Sequence, residues 1–250
     1  MAASPNPWLV RFGAAPTSGL RVFAFPCACG GPPAYRGLWK ELGERADLVV
    51  VHLPGRESRV HETPIDDLEV LVARAAEAIA GHLPRGAYAL FGQSMGAQLA
   101  FRVTRAIATG GGPAPVAVVV SSAAPAHLPR TAPNVHQLSD DELARALEAM
   151  GGTPSPVLAD PELRAWILRT ARADFRALER AAPVRPEPLE TTIVAYAGRD
   201  DGTLDEEALR GWSALAGRSF RSRWFLGGHF FVQSHPRLVA DALLLDLAIR

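Results

Sequence analysis

The stretch Tyr88–Phe101, "YALFGQSMGAQLAF", restricts the fold of this chain more than any other. Its first four residues read as a strand buried on both faces. From Met95 onward the apolar spacing is that of a helix. Between them stands Gly92-Gln93-Ser94-Met95-Gly96, a G-x-S-x-G turn that must reverse the chain within a few residues. Such a turn forces its serine into a strained backbone conformation, and flanking glycines remove the Cβ atoms that would collide. It also sets Ser94 at a helix start, where free N–H groups and the helix dipole favour negative charge. Ser94 is therefore the candidate nucleophile. The plainer alternative is a turn serine between two packing glycines.

The rest of the chain fits a strand–helix alternation. Apolar or β-branched runs fall at 20–25, 48–52, 88–91, 116–120, 192–196 and 222–225. Helical spacing is expected over 35–45, 66–82, 95–108, 206–216 and 236–249, the last opened by Pro236 at a first helical position. Strands that alternate with helices predict an α/β fold with a mostly parallel sheet covered on both faces. With 250 residues the chain suits one domain, 1–250. One region breaks the alternation. Residues 122–187 hold two helical segments, 139–150 and 161–181, and no convincing strand. Ser139 with Glu142 forms a capping box, and Asp160 with Pro161 marks a second helix start. Such an insertion lies over the carboxyl ends of the strands and is expected to act as a helical lid.

Composition excludes several classes. A hydrophobic content of 48% with 21% charged residues is that of a globular protein rather than a disordered one. Basic and acidic residues balance at 26 each, with no basic run, so nucleic acid is not an expected partner. The opening segment lacks the apolar core of a secretory signal, and no apolar run is long enough to span a bilayer. A cytoplasmic protein without membrane attachment is expected. Cys27 and Cys29 are too close in sequence for an ordinary disulfide, and without a second Cys/His pair they are a poor zinc site, so two free thiols are expected.

A serine hydroxyl needs a base, and the base needs a carboxylate to orient it. For a strand–turn–helix serine the chain order is Ser, Asp or Glu, then His. His229 follows the run "RSRWFLGG" on a glycine-softened loop, whereas His235 directly precedes Pro236 and reads as a helix-entry residue. His229 is the favoured base. For the acid, "TTIVAYAGRDDG" runs a strand into adjacent Asp200 and Asp201, whose side chains point in opposite directions. The pattern leaves these two level, while Asp205 is the expected cap of the following helix. The N–H of Met95, next after the serine, is the first expected oxyanion donor.

The segments "FAFPCACGGPPAYRGLW", "VVHLPGRESRVHE", "FGQSMGAQLAF", "LSDDELARALEAMGGTP", "RADF" and "FLGGHFFV" together resemble the type II thioesterases. These are stand-alone editing hydrolases of polyketide and nonribosomal peptide biosynthesis, with the α/β-hydrolase fold. The resemblance runs in order over nearly the whole chain, insertion included. It implies a serine thioesterase that frees acyl groups from the phosphopantetheine arm of acyl or peptidyl carrier proteins, as a monomer with no metal or other cofactor. It selects Asp201 over Asp200, supports His229, and puts a second oxyanion donor at Ala28. Where the family reads Phe-Pro-His-Ala-Gly-Gly, this chain has Cys27 for the histidine and Cys29 for the first glycine. Backbone donors survive such changes, but a Cβ at Cys29 is strained if that position needs positive φ. A nucleophilic Cys27 has no support from the family pattern.

Three further expectations complete the reading. Arg56, Arg59 and Glu62 are expected to form an ion-pair set that fixes their loop, the alternative being contact with a partner. Arg164, Arg169 and Arg172 face either solvent or an acidic carrier domain, diluted by the neighbouring acids Glu162 and Asp174. His52, His82, His127 and His136 lack metal-ligand spacing and receive no role. The rival functions on the same scaffold are a general carboxylesterase and an acyltransferase, with a non-catalytic binding protein as the third.

Overall fold

Phe23 and Phe25 pack into one apolar cluster, while Val22 and Ala24, which alternate with them, pack into another. The same split recurs at Leu90 against Ala89 and Phe91, and at Ile193 and Ala195 against Val194 and Tyr196. Alternate residues of each central strand thus feed two cores, the signature of a sheet buried on both faces. The computed structural model describes residues 6–13, 19–130, 134–153 and 155–247.

In chain order the first half comprises β1 (Leu9–Arg11), β2 (Arg21–Phe25), α1 (Arg36–Leu42), β3 (Asp47–Val51), α2 (Leu68–Ala80), β4 (Tyr88–Gln93) and α3 (Met95–Thr109). There follow β5 (Ala117–Ser121), α4 (Asp140–Ala149), α5 (Ser155–Ala159) and α6 (Pro161–Arg180). The chain closes with β6 (Thr192–Gly198), α7 (Glu206–Arg210), β7 (Ser219–Phe225), α8 (Phe231–Ser234) and α9 (Pro236–Asp246). The strands form one seven-stranded sheet in the order β1-β3-β2-β4-β5-β6-β7. Every pairing is parallel except β1 with β3, where Leu9 lies opposite Val51. Helices α2 and α3 supply Leu71, Ala75, Leu99 and Val103 to the first core; α1 and α9 supply Leu38, Leu42, Val239 and Leu243 to the second.

The expected strands all form. The edge strand β1 was not anticipated, because three residues, two of them half-buried and one exposed, carry no measurable period. Several helices are shorter than their apolar spacing predicts, and a cap or a tightening of the backbone sets the limit. Asp67 accepts hydrogen bonds from the N–H groups of Glu69 and Val70, so α2 starts at Leu68. Gly43, at φ 55°, stops α1. Helix α7 ends at Arg210, and a tighter turn over Gly211–Leu215 tucks Trp212 fully inside. The expected caps at Ser139, Asp160 and Asp205 all form, the first with both halves of the capping box. For the last helix, residues 248–250 lie outside the described residues.

Between β5 and β6 the chain leaves the sheet for α4, α5 and α6. The short helix α5 falls where only a break was expected. These helices carry an apolar cluster of their own around Leu143, Leu147, Leu168 and Ala171. Through Ala177 and Leu178 the carboxyl end of α6 joins the first core.

Candidate active site

Ser94 has φ 55° and ψ −116°, a conformation that costs a residue with a Cβ on the order of 1–3 kcal/mol. The neighbouring glycines show why the turn can be so tight. A Cβ on Gly92 would stand 2.0 Å from the carbonyl oxygen of Gly96, and one on Gly96 would stand 2.0 Å from that of Phe25. The turn is tied to the next strand by the Ser94 N–H, which donates to the Ser121 carbonyl at 2.7 Å.

His229 Nδ1 and Asp201 Oδ2 are 2.8 Å apart. Because the carboxylate can only accept, the proton sits on Nδ1 and leaves Nε2 with its lone pair. Asp201 Oδ1 also accepts from the Thr203 N–H at 3.1 Å and from its hydroxyl at 2.6 Å. Burial of Asp201 raises its pKa, but the bonds from His229 and Thr203 outweigh it and bring the value down to about 2. Asp200 is exposed, with its N–H donating to the Gly227 carbonyl at 3.0 Å. His235 packs against Gly227 as the entry to α9 and does not reach the cavity described below.

Ser94, Met95, Ala28 and His229 line one cavity of about 720 Å³. Its far walls are mostly apolar, from Leu147, Met150, Val157, Ile167 and Phe175 of the insertion and Leu68 of α2. Ser94 and His229 share this cavity without a hydrogen bond between them, and neither Met95 nor Ala28 has its N–H bonded among the described residues.

Three residues that the sequence reading did not single out hold His229 from behind. The Gln93 side-chain amide and the Ser122 hydroxyl donate to the His229 carbonyl at 2.9 and 3.3 Å. Gln93 in turn exchanges hydrogen bonds with Gln233 at 2.7 and 3.2 Å. A signal was present: Gln93 is a fully buried polar side chain at the end of an apolar strand, and such a group needs partners.

The oxyanion-loop candidates have a different setting from the one anticipated. Cys29 does occupy the left-handed region, at φ 62°. Burial, followed by the charge of Asp174, pushes the Cys27 thiol up to about 11 and the Cys29 thiol well above its usual range, so neither is a ready thiolate. Both thiols are free. Arg59 pairs with Glu62 at 2.6 Å as expected, but Arg56 does not join them. It turns inward to Asp174 of α6, with bonds of 2.8 and 3.0 Å, because a buried guanidinium requires a buried counter-charge. Asp174 is thus fully buried rather than an acidic neighbour on an exposed face. Of the other arginines, Arg164 pairs with Asp141, Arg172 with Asp140, and Arg169 donates to the Val60 carbonyl, so these side chains are tied to the protein itself. His52 and His82 are held by carbonyls four residues away, those of Arg56 and Ala78, and His136 by the Glu179 carboxylate of α6. No group of three potential metal ligands exists among the described residues. No helix among them is long and apolar enough to cross a membrane.

A positive-φ serine between the fourth strand and its helix, followed in the chain by an acid and then a histidine, belongs to the α/β-hydrolase fold. A model of the "Thioesterase domain" matches residues 20–244, and the chain belongs to that family, as a type II thioesterase. It is 31% identical over 229 residues to the gramicidin S biosynthesis protein GrsT of Aneurinibacillus migulanus, covering 91% of this chain and 88% of that one. The type II thioesterase BorB from the borrelidin biosynthetic cluster superposes with a TM-score of 0.88 at 30% identity, over 98% of this chain and 99% of BorB. RedJ, a thioesterase from the prodiginine pathway of Streptomyces coelicolor, gives 0.82 at 34% identity, over 95% and 90% of the two chains.

Proposed function

We propose that this thioesterase hydrolyses acyl groups from the phosphopantetheine arm of acyl or peptidyl carrier proteins, as an editing enzyme of polyketide or nonribosomal peptide biosynthesis. The observation that carries the reading is the Asp201–His229 hydrogen bond at the wall of the cavity onto which Ser94 opens. The names of relatives, a gramicidin S biosynthesis protein for GrsT and a type II thioesterase of the borrelidin biosynthetic cluster for BorB, support a place in such a biosynthetic system.

In the proposed reaction Ser94 Oγ attacks the thioester carbonyl carbon and its proton passes to His229 Nε2. The N–H groups of Met95 and Ala28 stabilise the oxyanion, a contribution worth about a hundredfold or more in rate per donor. The tetrahedral adduct expels the pantetheine thiolate, which takes up the proton from His229. Water, deprotonated by the same nitrogen, then attacks the acyl-serine; the free acid leaves and Ser94 regains its proton. Asp201 keeps the imidazole in the Nδ1–H form and balances the charge of its protonated state. The bond between Ser94 and His229 closes on substrate binding, as is common for catalytic contacts that are loose in an empty site. The apolar walls from α4, α5 and α6 receive the acyl group, and these helices act as a lid over a single domain. In this proposal the enzyme uses no metal or organic cofactor and acts as a cytoplasmic monomer.

The test is a panel of acyl groups presented on a carrier protein and on a small thiol, with Ser94→Ala as control. Faster release from the carrier, abolished in the control, supports the proposal. Preference for simple oxygen esters would favour a carboxylesterase, and acyl transfer to an added alcohol or amine an acyltransferase.

A further inference from the structure

The turn that carries Ala28 is closed by the Gly30 N–H donating to the Cys27 carbonyl at 3.0 Å. Its two central residues are Ala28 and Cys29, and Cys29 has φ 62°. A turn with positive φ at its third position is the type II arrangement, which glycine adopts freely and other residues resist. Cys29 therefore sits where its own backbone preference works against the turn. Something outside the turn must hold it.

That restraint comes from two distant parts of the chain. The Cys29 N–H donates to Asp174 Oδ2 at 2.7 Å. Asp174, on α6, is wholly buried and takes two bonds from Arg56, at 2.8 and 3.0 Å. The same guanidinium donates to the Gly30 carbonyl at 3.0 Å. One side of the turn is thus pinned at Cys29 N–H and the other at the Gly30 carbonyl, by a single ion pair. The peptide between Ala28 and Cys29 cannot rotate without breaking a charge-assisted bond. Neither Asp174 nor Arg56 is placed by this geometry to touch substrate: neither lines the cavity that holds Ser94.

We propose that Asp174 and Arg56 are positioning residues that hold the Cys27–Gly30 turn in its strained form and so aim the Ala28 N–H at the oxyanion. This rests on the Ser94 reading above. It also couples the insertion to the chemistry, because Asp174 rides on α6, so that a displacement of this helix reaches the oxyanion donor through one hydrogen bond.

The experiment replaces the pair by apolar side chains, Arg56→Met with Asp174→Leu, since removing both charges together avoids a lone buried ion. With an acyl-thiol substrate, kcat is expected to fall at least tenfold and KM to stay within about twofold, because the lost stabilisation belongs to the transition state. Adding Cys29→Gly, which lets the turn adopt positive φ unaided, is expected to restore most of that loss. An unchanged kcat, a loss carried by KM, or a kcat deficit that Cys29→Gly leaves in place would overturn the proposal. If the double variant does not fold, Asp174→Asn replaces it; the neutral amide is a weaker acceptor, and an unchanged kcat there is equally fatal. Ser94→Ala run in parallel separates the two ideas, since turnover surviving in that variant refutes the nucleophile itself.

Discussion

The Asp201 carboxylate reaches His229 Nδ1 at 2.8 Å, while the carboxylate one residue earlier, on Asp200, is exposed to solvent. Asp201 is held in turn by two bonds from Thr203, so the acid cannot swing away from the imidazole. Asp201→Asn is expected to lower kcat by on the order of 10³–10⁴-fold, since an amide can stabilise the wrong imidazole tautomer. Asp200→Asn is expected to stay within about twofold. Steady-state kinetics on one thioester decides between them, and the reverse ranking refutes the assignment.

The same bonds make an acid-stability prediction. The folded pKa of Asp201 is about 2, below its ordinary value of 3.8. A lowered carboxylate pKa adds stability that is fully present above the unfolded value and is lost as the pH falls through the folded one. The melting-temperature gap between wild type and Asp201→Ala is expected to be constant above about pH 5 and to narrow between about pH 4 and 2. A gap that instead widens on acidification would contradict the sign of the shift.

Ser94 stores strain at φ 55°, and glycine relieves it. Ser94→Gly is expected to abolish turnover and to raise stability by about 1 kcal/mol, the strain released less the backbone entropy that glycine adds to the unfolded chain. Ser94→Ala keeps the Cβ and is expected to be inactive with no such gain. Thermal melts of both proteins beside the kinetics test this; a Ser94→Gly protein less stable than Ser94→Ala argues against strain at this position.

Gly96 has no such freedom to exchange. A Cβ there would lie 2.0 Å from the Phe25 carbonyl oxygen, in backbone that leads into the Cys27–Gly30 turn. Gly96→Ala is expected to cost about 3 kcal/mol or more, because neither strand β2 nor helix α3 can yield without breaking core packing. Chemical denaturation gives the number, and a loss under about 1 kcal/mol would mean the turn relaxes more easily than its contacts imply.

The local half of this protein was legible in its residue order. Apolar runs and helical spacing located the six long strands and the main helices, and side-chain caps such as Ser139 and Asp160 located helix starts, because each depends on neighbours within four residues. The glycine-bracketed Ser94 was legible for the same reason: the steric demand is inside the turn. The choice between Asp200 and Asp201 was not, since a strand end only says that they point apart, and resemblance to a family had to separate them. Tertiary structure alone paired Arg56 with Asp174, 118 positions away, and turned away from Glu62 an arginine that spacing had grouped with it. It alone set Gln93 and Ser122 behind His229. Sequence spacing records which side chains share a face, but which buried charge meets which depends on where whole helices and loops come to rest, and only packing of the complete chain determines that.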